Sequence, residues 1–296
     1  MSRSEGDTIR RLIHFTPLRY PGGKGKLAAY VKSIIEDNGL SDGHYVEPYA
    51  GGAAIAFELL LQGYVSHIHI NDLNVHVHSF WRSVLKEPEA LCRKIRNTKC
   101  TVTQWRRQKK IVASPEGHTP LEIGFATFFL NRTNRSGILN GGIIGGKDQS
   151  GPWKIDARYN PAELIFRIES IAKKASHISL TRKDAVKFIA SGTEKWPDKT
   201  LIYCDPPYYE KGRDLYYDFY HPQDHADVAA AVQAVSRQKW IVSYDNVPAV
   251  NDLYRKCRSL NYGIGYSARA VREGAEVMFF GPGLRIPEPV GAMQAA

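Results

Sequence analysis

The stretch HYVEPYAGGAAIAFELLLQGYVSHIHIND, residues 44–72, decides the predicted fold. It begins with the strand-like run HYVEP, turns at Gly51-Gly52, and continues into an Ala/Phe/Leu-rich helix. VSHIHI at 65–70 alternates polar and apolar residues, as a second strand does, and stops just before Asp72. A strand, a glycine turn, a helix and another strand make up the unit from which parallel sheets are built.

Four further apolar runs predict strands, with helical stretches between them. They are HISLT (177–181), TLIYC (200–204), WIVSY (240–244) and EVMFF (276–280). Strands separated by helices of this length predict a mainly parallel, doubly wound α/β sheet. In such sheets ligands bind beyond the carboxyl ends of the strands, so we expect the chemistry there.

Residues 81–175 have a different character. Thr119-Pro120-Leu121-Glu122 is a capping box that opens a helix, and Asn160-Pro161 starts another. Between them lies a glycine-rich segment typical of a hairpin or a long exposed loop. We therefore predict a basic, mainly helical insertion within one discontinuous α/β domain. The predicted boundaries are 14–80 and 176–285 for the α/β domain, 81–175 for the insertion, and 1–13 and 286–296 for disordered tails.

Composition places the chain among ordinary globular proteins. Of its 296 residues, 43% are hydrophobic and 24% are charged, which excludes a mostly disordered, collagenous or coiled-coil chain. No apolar run approaches the roughly 18 residues of a membrane-spanning helix, and the N-terminus does not resemble a signal sequence. The four cysteines are scattered without a C-x-x-C pair, which argues against a zinc knuckle or a disulfide framework. We expect a cytoplasmic monomer that needs no metal.

The positive charge is concentrated in one segment. The chain has a net charge of +10, and residues 81–160, with 15 Lys or Arg and 6 Asp or Glu, supply most of it. Residues 93–110 contain no acid and include Arg106 and Arg107. Such a surface suits a polyanion, because attraction to phosphates supplies much of nucleic-acid affinity. A solvated helix face is the other interpretation of this charge run.

YCDPPY at 203–208 is the strongest chemical signal. Two prolines cannot extend the sheet, so the chain leaves its strand in a stiff turn. The turn offers the Asp205 carboxylate, the Pro206 carbonyl and the Tyr208 ring. Two acceptors and an aromatic face suit a planar group that carries an exocyclic amine. The tetrapeptide alone is equally compatible with an ordinary strand exit and a surface aspartate.

VEPYAGG at 46–52 is the second signal. Its glycines permit positive φ and let backbone amides approach a ligand at a helix N-terminus. Asp72 follows Glu47 by 25 residues, the spacing at which an acidic residue binds a ribose in Rossmann-like sites. The G-x-G-x-x-G fingerprint is absent, which disfavours NAD. LRYPGGK at 18–24 lacks the Ser or Thr that follows the lysine of a phosphate loop, which disfavours an NTPase.

In their order along the chain, these segments resemble the Dam-type family of S-adenosylmethionine-dependent DNA adenine N6-methyltransferases. The matching segments are LRYPGGK (18–24), VEPYAGG (46–52), NDLN (71–74), FFLNRTNRSGI (128–138), RKDAVKF (182–188), YCDPPYY (203–209) and WIVSYDN (240–246). DPPY alone occurs in other amino-methyltransferases, whereas the ordered set, which spans roughly residues 18–280, is highly specific. The resemblance implies a Rossmann-like methyltransferase sheet with an inserted, mainly helical DNA-recognition domain.

The resemblance also implies a role for each matching residue. The methyl donor, S-adenosylmethionine, would be bound by Tyr20, Lys24, Glu47, Gly51, Asp72, Asp184 and Asp205. Asp72 would bind its ribose hydroxyls, and Asp184 would border its adenine. Asp205 and Pro206 would hold the target amine, and Tyr208 would stack on the extruded adenine. From the charge run and the glycine-rich segment, and not from the resemblance, we expect Arg106 and Arg107 to contact the phosphates of double-stranded DNA. We expect Asn134, Arg135, Lys147 and Lys154 to read its bases. A cognate restriction endonuclease, as a separate protein, is a candidate partner.

Two positions depart from the family pattern. Ala53 stands where the family usually has a third glycine of its donor-binding turn. Arg135-Ser136-Gly137 replaces an aromatic-Asn-Gly sequence in the insertion, so the recognition sequence cannot be transferred.

The implied mechanism needs base extrusion, because an adenine inside a duplex cannot reach a buried donor. Hydrogen bonds from its amine to Asp205 and Pro206 would favour a tetrahedral nitrogen, with no metal and no covalent intermediate. Methylation at cytosine C5 is rejected, because no cysteine here follows a proline. An N4-cytosine methyltransferase and an RNA amino-methyltransferase remain as alternatives. So does a non-catalytic DNA-binding module, although the intact DPPY sequence argues against it.

Overall fold

The computed structural model describes residues 15–19, 24–209, 220–264, 276–290 and 293–295. The chain forms two compact units, each made of two segments. The helical unit comprises Met1–Gly23 and Asn74–Ser176, and the sheet unit comprises Lys24–Leu73 and His177–Ala296. Among the described helices, none is long and apolar enough to cross a membrane.

The sheet unit is built on one mixed sheet. Its described strands are β1 (His44–Glu47), β2 (His67–Asn71), β3 (Ile178–Thr181), β4 (Thr200–Cys204), β5 (Lys239–Asp245), β6 (Arg258–Ile264), β7 (Glu276–Phe280) and β8 (Met293–Ala295). They lie in the order β3-β2-β1-β4-β5-β7-β6-β8. Strands β1 to β5 are parallel, whereas β7 is antiparallel to both β5 and β6. The predicted Rossmann-like α/β sheet is confirmed.

The described α-helices are α1 (Ala28–Asp37), α2 (Ala54–Leu61), α3 (Val75–Lys86), α4 (Pro88–Asn97), α5 (Val102–Ala113), α6 (Pro120–Thr133), α7 (Pro161–Ala172), α8 (Ala185–Thr193), α9 (Pro222–Gln233) and α10 (Pro248–Leu253). Helices α3 to α7 belong to the helical unit, and the others belong to the sheet unit. The mainly helical character predicted for the insertion is therefore present.

The strand order places the site of chemistry in the sheet unit. The chain runs outward from β1 to β2 and β3, then returns to place β4 on the other side of β1. β1 and β4 pair in parallel register, with Val46 opposite Ile202. At such a reversal the connections leave the two neighbouring strands in opposite directions, which opens a crevice at their carboxyl ends. The segments that follow β1 and β4 are the two strongest motifs of the sequence.

The core around β4 fixes these strand ends. All five residues of β4 are buried, and two of them, Ile202 and Cys204, belong to an apolar cluster with residues of β5 and β7, Trp240, Tyr244 and Phe279 among them. A strand that is covered on both faces has apolar residues on both, so its sequence is a continuous apolar run. This is why the sequence TLIYC predicts a strand.

Two strands are missing from the sequence-based prediction. β6 has the sequence RSLNYGI, in which Arg258, Asn261 and Gly263 weaken the strand pattern. β8 is three residues long and pairs antiparallel with β6. It lies in the segment 286–296 that was predicted to be disordered, so that prediction is corrected for Met293–Ala295. The predicted tail at 1–13 lies outside the described residues.

The helical unit is organised around α6. The capping box is present, because Thr119 Oγ1 accepts from the Glu122 amide while a Glu122 carboxylate oxygen accepts from the Thr119 amide. From Ile123 onward, α6 is buried throughout. The Phe80 ring of α3 stacks on Phe128 of α6, with centroids 5.8 Å apart. The predicted boundary between residues 80 and 81 therefore falls inside α3, whose apolar face packs in the helical unit.

Candidate functional site

The DPPY segment leaves the carboxyl end of β4 at the crevice described above. Pro206 is buried, and Pro207 and Tyr208 are half-buried. The segment is held from the neighbouring strand, because the Tyr209 amide donates to Asp245 Oδ1 at 2.9 Å at the end of β5. Asp205 is thus carried on a rigid turn between two buried strands.

The Asp205 carboxylate is only partly satisfied. Its Oδ1 atom is buried and accepts no hydrogen bond from the described residues, although Lys24 Nζ lies 3.7 Å away. Burial raises the pKa of Asp205 to about 6; Lys24 opposes this rise, and the negative charge of Glu276 adds to it. A buried acceptor that receives no hydrogen bond lowers the stability of the folded protein. Such an acceptor at the end of a core strand therefore indicates a place where a hydrogen-bond donor binds.

Glu276 joins the residues around Asp205, and the sequence analysis missed it. It lies at the start of β7, is buried, and forms an ion pair with Lys24. Its carboxylate also accepts hydrogen bonds from the hydroxyls of Tyr208, at 3.0 Å, and Tyr262, at 2.8 Å. Lys24 Nζ donates to the Tyr208 hydroxyl at 3.2 Å. The only sequence signal was an acid that opens the apolar strand EVMFF.

These contacts bear on the roles predicted for the N-terminal segment. Lys24 lies between Asp205 and Glu276 in this structure, and its predicted contact with the methyl donor stays a prediction. Tyr20, the other residue predicted for that contact, lies outside the described residues.

The glycine turn after β1 is tied to the end of β2. Gly51 adopts a φ of +46°, and its amide donates to Asp72 Oδ2 at 2.8 Å. Ala53 is also left-handed, with a φ of +45°, immediately before α2. This conformation costs a residue with a Cβ roughly 1–2 kcal/mol, so the departure from the family glycine is accommodated with local strain. The turn and the Asp72 carboxylate lie together, as a donor-binding site requires.

Glu47 supports this turn from inside the unit. Its carboxylate is buried, where it accepts from the Ala56 amide in the first turn of α2 and from the Tyr45 hydroxyl. Burial raises the pKa of Glu47 to about 8. The side chain that was predicted to contact the donor is therefore occupied in holding α2 against β1.

Asn71, which the sequence analysis did not single out, connects three strand ends. Its side-chain amide donates to the carbonyls of Pro48 and Lys183, and its oxygen accepts from the Lys183 amide and the Thr181 hydroxyl. Asp184 follows directly and caps α8, accepting from the Lys187 amide at 3.1 Å. Asn71 thereby fixes the loops that carry Asp72 and Asp184.

In the helical unit, the basic residues of α5 lie on its outer face. Arg106 and Arg107 are exposed, whereas Trp105, Gln108 and Val112 of the same helix are buried. The two arginines are therefore available to an external anion. The predicted contact with DNA phosphates remains a prediction.

The four predicted base readers do not share one environment. Arg135 and Lys147 are exposed. Lys154 is also exposed, but its Nζ donates to the carbonyls of Gln149 and Gly151.

Asn134 is fully buried, which contradicts its predicted role. Its side chain accepts from Trp105 Nε1 at 2.6 Å and donates to the carbonyls of Ile138 and Leu139. It cannot reach a base edge without breaking these bonds, so its role here is to hold the loop after α6.

The chain matches one family model over part of its length. Residues 20–113 match the family described as D12 class N6 adenine-specific DNA methyltransferase. Over these residues the predicted resemblance to this family is confirmed. The predicted enzyme class, an adenine-specific DNA methyltransferase, is confirmed by the same match, which includes Asp72, the glycine turn and the basic helices.

Solved structures show weaker similarity. The rRNA methyltransferase aviRa from Streptomyces viridochromogenes is 11% identical, with a TM-score of 0.41 and coverage of 95% of this chain and 93% of that chain. The putative methyltransferase yhhF from Escherichia coli is 9% identical, with a TM-score of 0.33 and coverage of 90% of this chain and 88% of that chain. At such low scores these similarities do not bear on function. No curated protein matches the chain significantly.

Proposed function

We propose that this protein transfers a methyl group from S-adenosylmethionine to N6 of an adenine extruded from duplex DNA, within a specific sequence. The observation that carries the proposal is the buried Oδ1 of Asp205 at the crevice between β1 and β4, which accepts no hydrogen bond from the described residues. An acceptor fixed there, next to the Pro206 carbonyl and the Tyr208 ring, suits a planar amine.

The residues of the donor side fit S-adenosylmethionine. A glycine turn leads into the N-terminus of α2, and the Asp72 carboxylate accepts a hydrogen bond from the Gly51 amide of that turn. A carboxylate at the end of the second strand is suited to ribose hydroxyls. When bound, S-adenosylmethionine supplies an electrophilic methyl group. Gly51 and Asp72 would hold it, while Glu47 and Asn71 keep that loop in place.

The residues of the acceptor side act on the nitrogen. With a pKa of about 6, Asp205 is mostly ionised at neutral pH, so it accepts an N–H of the amine. The Pro206 carbonyl accepts the other N–H, and the two bonds orient the nitrogen lone pair for attack. The hydroxyl of Tyr208 is anchored by Glu276, which fixes its ring for stacking on the base. Stacking of this kind recovers about 1–3 kcal/mol of the cost of extrusion.

The helical unit supplies the DNA surface in this proposal. Arg106 and Arg107 on α5 neutralise phosphates, which positions the duplex without reading it. Arg135 and Lys147 are exposed and are the candidates for base contacts, whereas the buried Asn134 is not.

Product analysis tests the proposal. Purified protein is incubated with S-adenosylmethionine and with duplexes of matched sequence made of DNA or RNA, and the modified nucleosides are quantified by mass spectrometry. N6-methyladenine in DNA is expected, and long-read sequencing of DNA from expressing cells then gives its context. A product of N4-methylcytosine, or methylation confined to RNA, would overturn the proposal.

A further inference from the structure

The glycine-rich segment carries one tryptophan in an unusual position. The side chain of Trp153 is 68% exposed, whereas the other four tryptophans of the chain are buried. We call residues 144–155, which carry this side chain, the Trp153 loop. A single exposed indole costs little, but one displayed on a rigid support is typical of a recognition surface.

The backbone of the Trp153 loop is pinned from within. The Gln149 side-chain amide donates to the carbonyls of Ile144 and Gly146, and its oxygen accepts from the Ile155 amide at 2.8 Å. This one side chain therefore connects both ends of the loop.

Further contacts close the loop across its middle. The Gly151 amide donates to the Gly145 carbonyl at 3.1 Å, and Lys154 Nζ donates to the carbonyls of Gln149 and Gly151. A Cβ on Gly145 would come within 2.6 Å of the Trp153 carbonyl, so glycine permits this close approach. These contacts fix the backbone that carries Trp153 and leave the indole outside. A backbone that is ordered before binding reduces the entropy lost when the ring stacks.

The surroundings of the indole favour an anionic, planar ligand. The loop borders an open concavity of about 350 Å³, lined by Trp153, Arg135 and Asp148 together with other residues of the loop, among them Pro152 and three glycines. Asp148 is the acid of this loop, and it is bonded to the amide and hydroxyl of Ser150. Over residues 134–158 there are four cations, Arg135, Lys147, Lys154 and Arg158, against two acids, Asp148 and Asp156, so the segment is net positive. A flat ring flanked by cations matches a nucleobase with its phosphates.

We infer that Trp153 stacks on a nucleobase of the bound DNA, with Arg135 and Lys147 on the adjoining backbone. The inference rests on the proposed function for the presence of DNA. Trp153 contributes affinity through its π face, and this contribution is tolerant of the base identity. This assigns a DNA contact of the segment to an aromatic residue, in addition to the polar residues predicted from the sequence.

Intrinsic fluorescence tests this inference, because the four other indoles are buried. Adding a duplex should quench the exposed indole of the wild type and protect it from iodide. Trp153→Phe should bind DNA within a few-fold of the wild type and lose that fluorescence change. Trp153→Ala should weaken DNA binding by about 5- to 150-fold with an unchanged salt slope. Lys147→Ala is the charge control, and it should instead flatten the slope by about one.

The outcomes separate this inference from the proposed function. The stacking role alone would be overturned if Trp153→Ala methylated DNA as well as the wild type does and if DNA binding left the indole emission of the wild type unchanged. DNA binding that depends on Trp153, without any methylation, would support the stacking role and overturn the proposed function. Thermal unfolding of both variants should match the wild type, because the side chain is exposed.

Discussion

The ionisation of Asp205 is set by two opposing charges, and each can be removed separately. Lys24 Nζ lies 3.7 Å from Asp205 Oδ1 and lowers its pKa, whereas Glu276 raises it. Lys24→Met removes the cation, and Glu276→Gln removes the anion at nearly constant volume. The two variants should therefore move the same titration in opposite directions.

The size of the effect follows from the geometry. An opposite charge within about 4–6 Å lowers a carboxyl pKa by roughly 1–3 units, so Lys24→Met should raise the Asp205 pKa from about 6 to about 7–9. Because the ionised form accepts the amine, activity is lost as the pH falls through this pKa. At neutral pH the ionised fraction should fall by about 2- to 100-fold. Glu276→Gln should shift the acid limb to lower pH.

The assay is the pH dependence of kcat/KM, which reports groups of the free enzyme. Lys24 is also a predicted donor contact, so donor affinity is measured separately by calorimetry. Lys32→Met is the matched control, because Lys32 pairs with Glu58 in the same unit. Acid limbs that stay in place, or that move in the same direction in both variants, would refute this account of Asp205.

Three further outcomes are expected. Asp72→Ala should weaken S-adenosylmethionine binding by about 10- to 150-fold in calorimetry, since a charge-assisted hydrogen bond is worth about 1.5–3 kcal/mol; unchanged affinity would mean that Asp72 only supports the Gly51 turn. Replacing Arg106 and Arg107 with Ala should flatten the salt dependence of DNA binding by up to about two units, and an unaltered slope would make this a solvated helix face. Asn134→Ala should lower the free energy of unfolding by about 1–3 kcal/mol, measured in urea, because it orphans the buried indole N–H of Trp105. A variant that unfolds like the wild type and loses sequence preference would restore its predicted role as a reader.

The parts of the fold that could be predicted are those with a local signature. TLIYC is buried on both faces, so its apolar run was visible without any knowledge of its neighbours. The glycine turn and Asp72 are close in sequence, and the parallel unit between them brings them together. Features of this kind can be predicted because the residues that form them are neighbours in the sequence.

The parts that could not be predicted depend on distant pairing. Glu276 reaches Lys24 and Tyr208 only because β7 runs antiparallel beside β5, a pairing without a local signal. The polar, glycine-rich segment around Asn134 predicts a residue that reads a base. The burial of Asn134 follows from the position of Trp105 on another helix. A polar side chain that satisfies the backbone inside a protein has the same sequence signature as one that faces a ligand.

The most direct test of the central claim compares wild type with Asp205→Asn, which keeps the shape of the side chain and removes its charge. Methyl transfer to a DNA duplex is measured in a single turnover by mass spectrometry, alongside donor affinity. The control is Asp252→Asn, an exposed aspartate of α10. We predict N6-methyladenine from wild type and control, and a loss of about 10²–10³-fold in Asp205→Asn with donor binding retained. Near-normal transfer by Asp205→Asn would contradict the claim that this carboxylate acts on the amine.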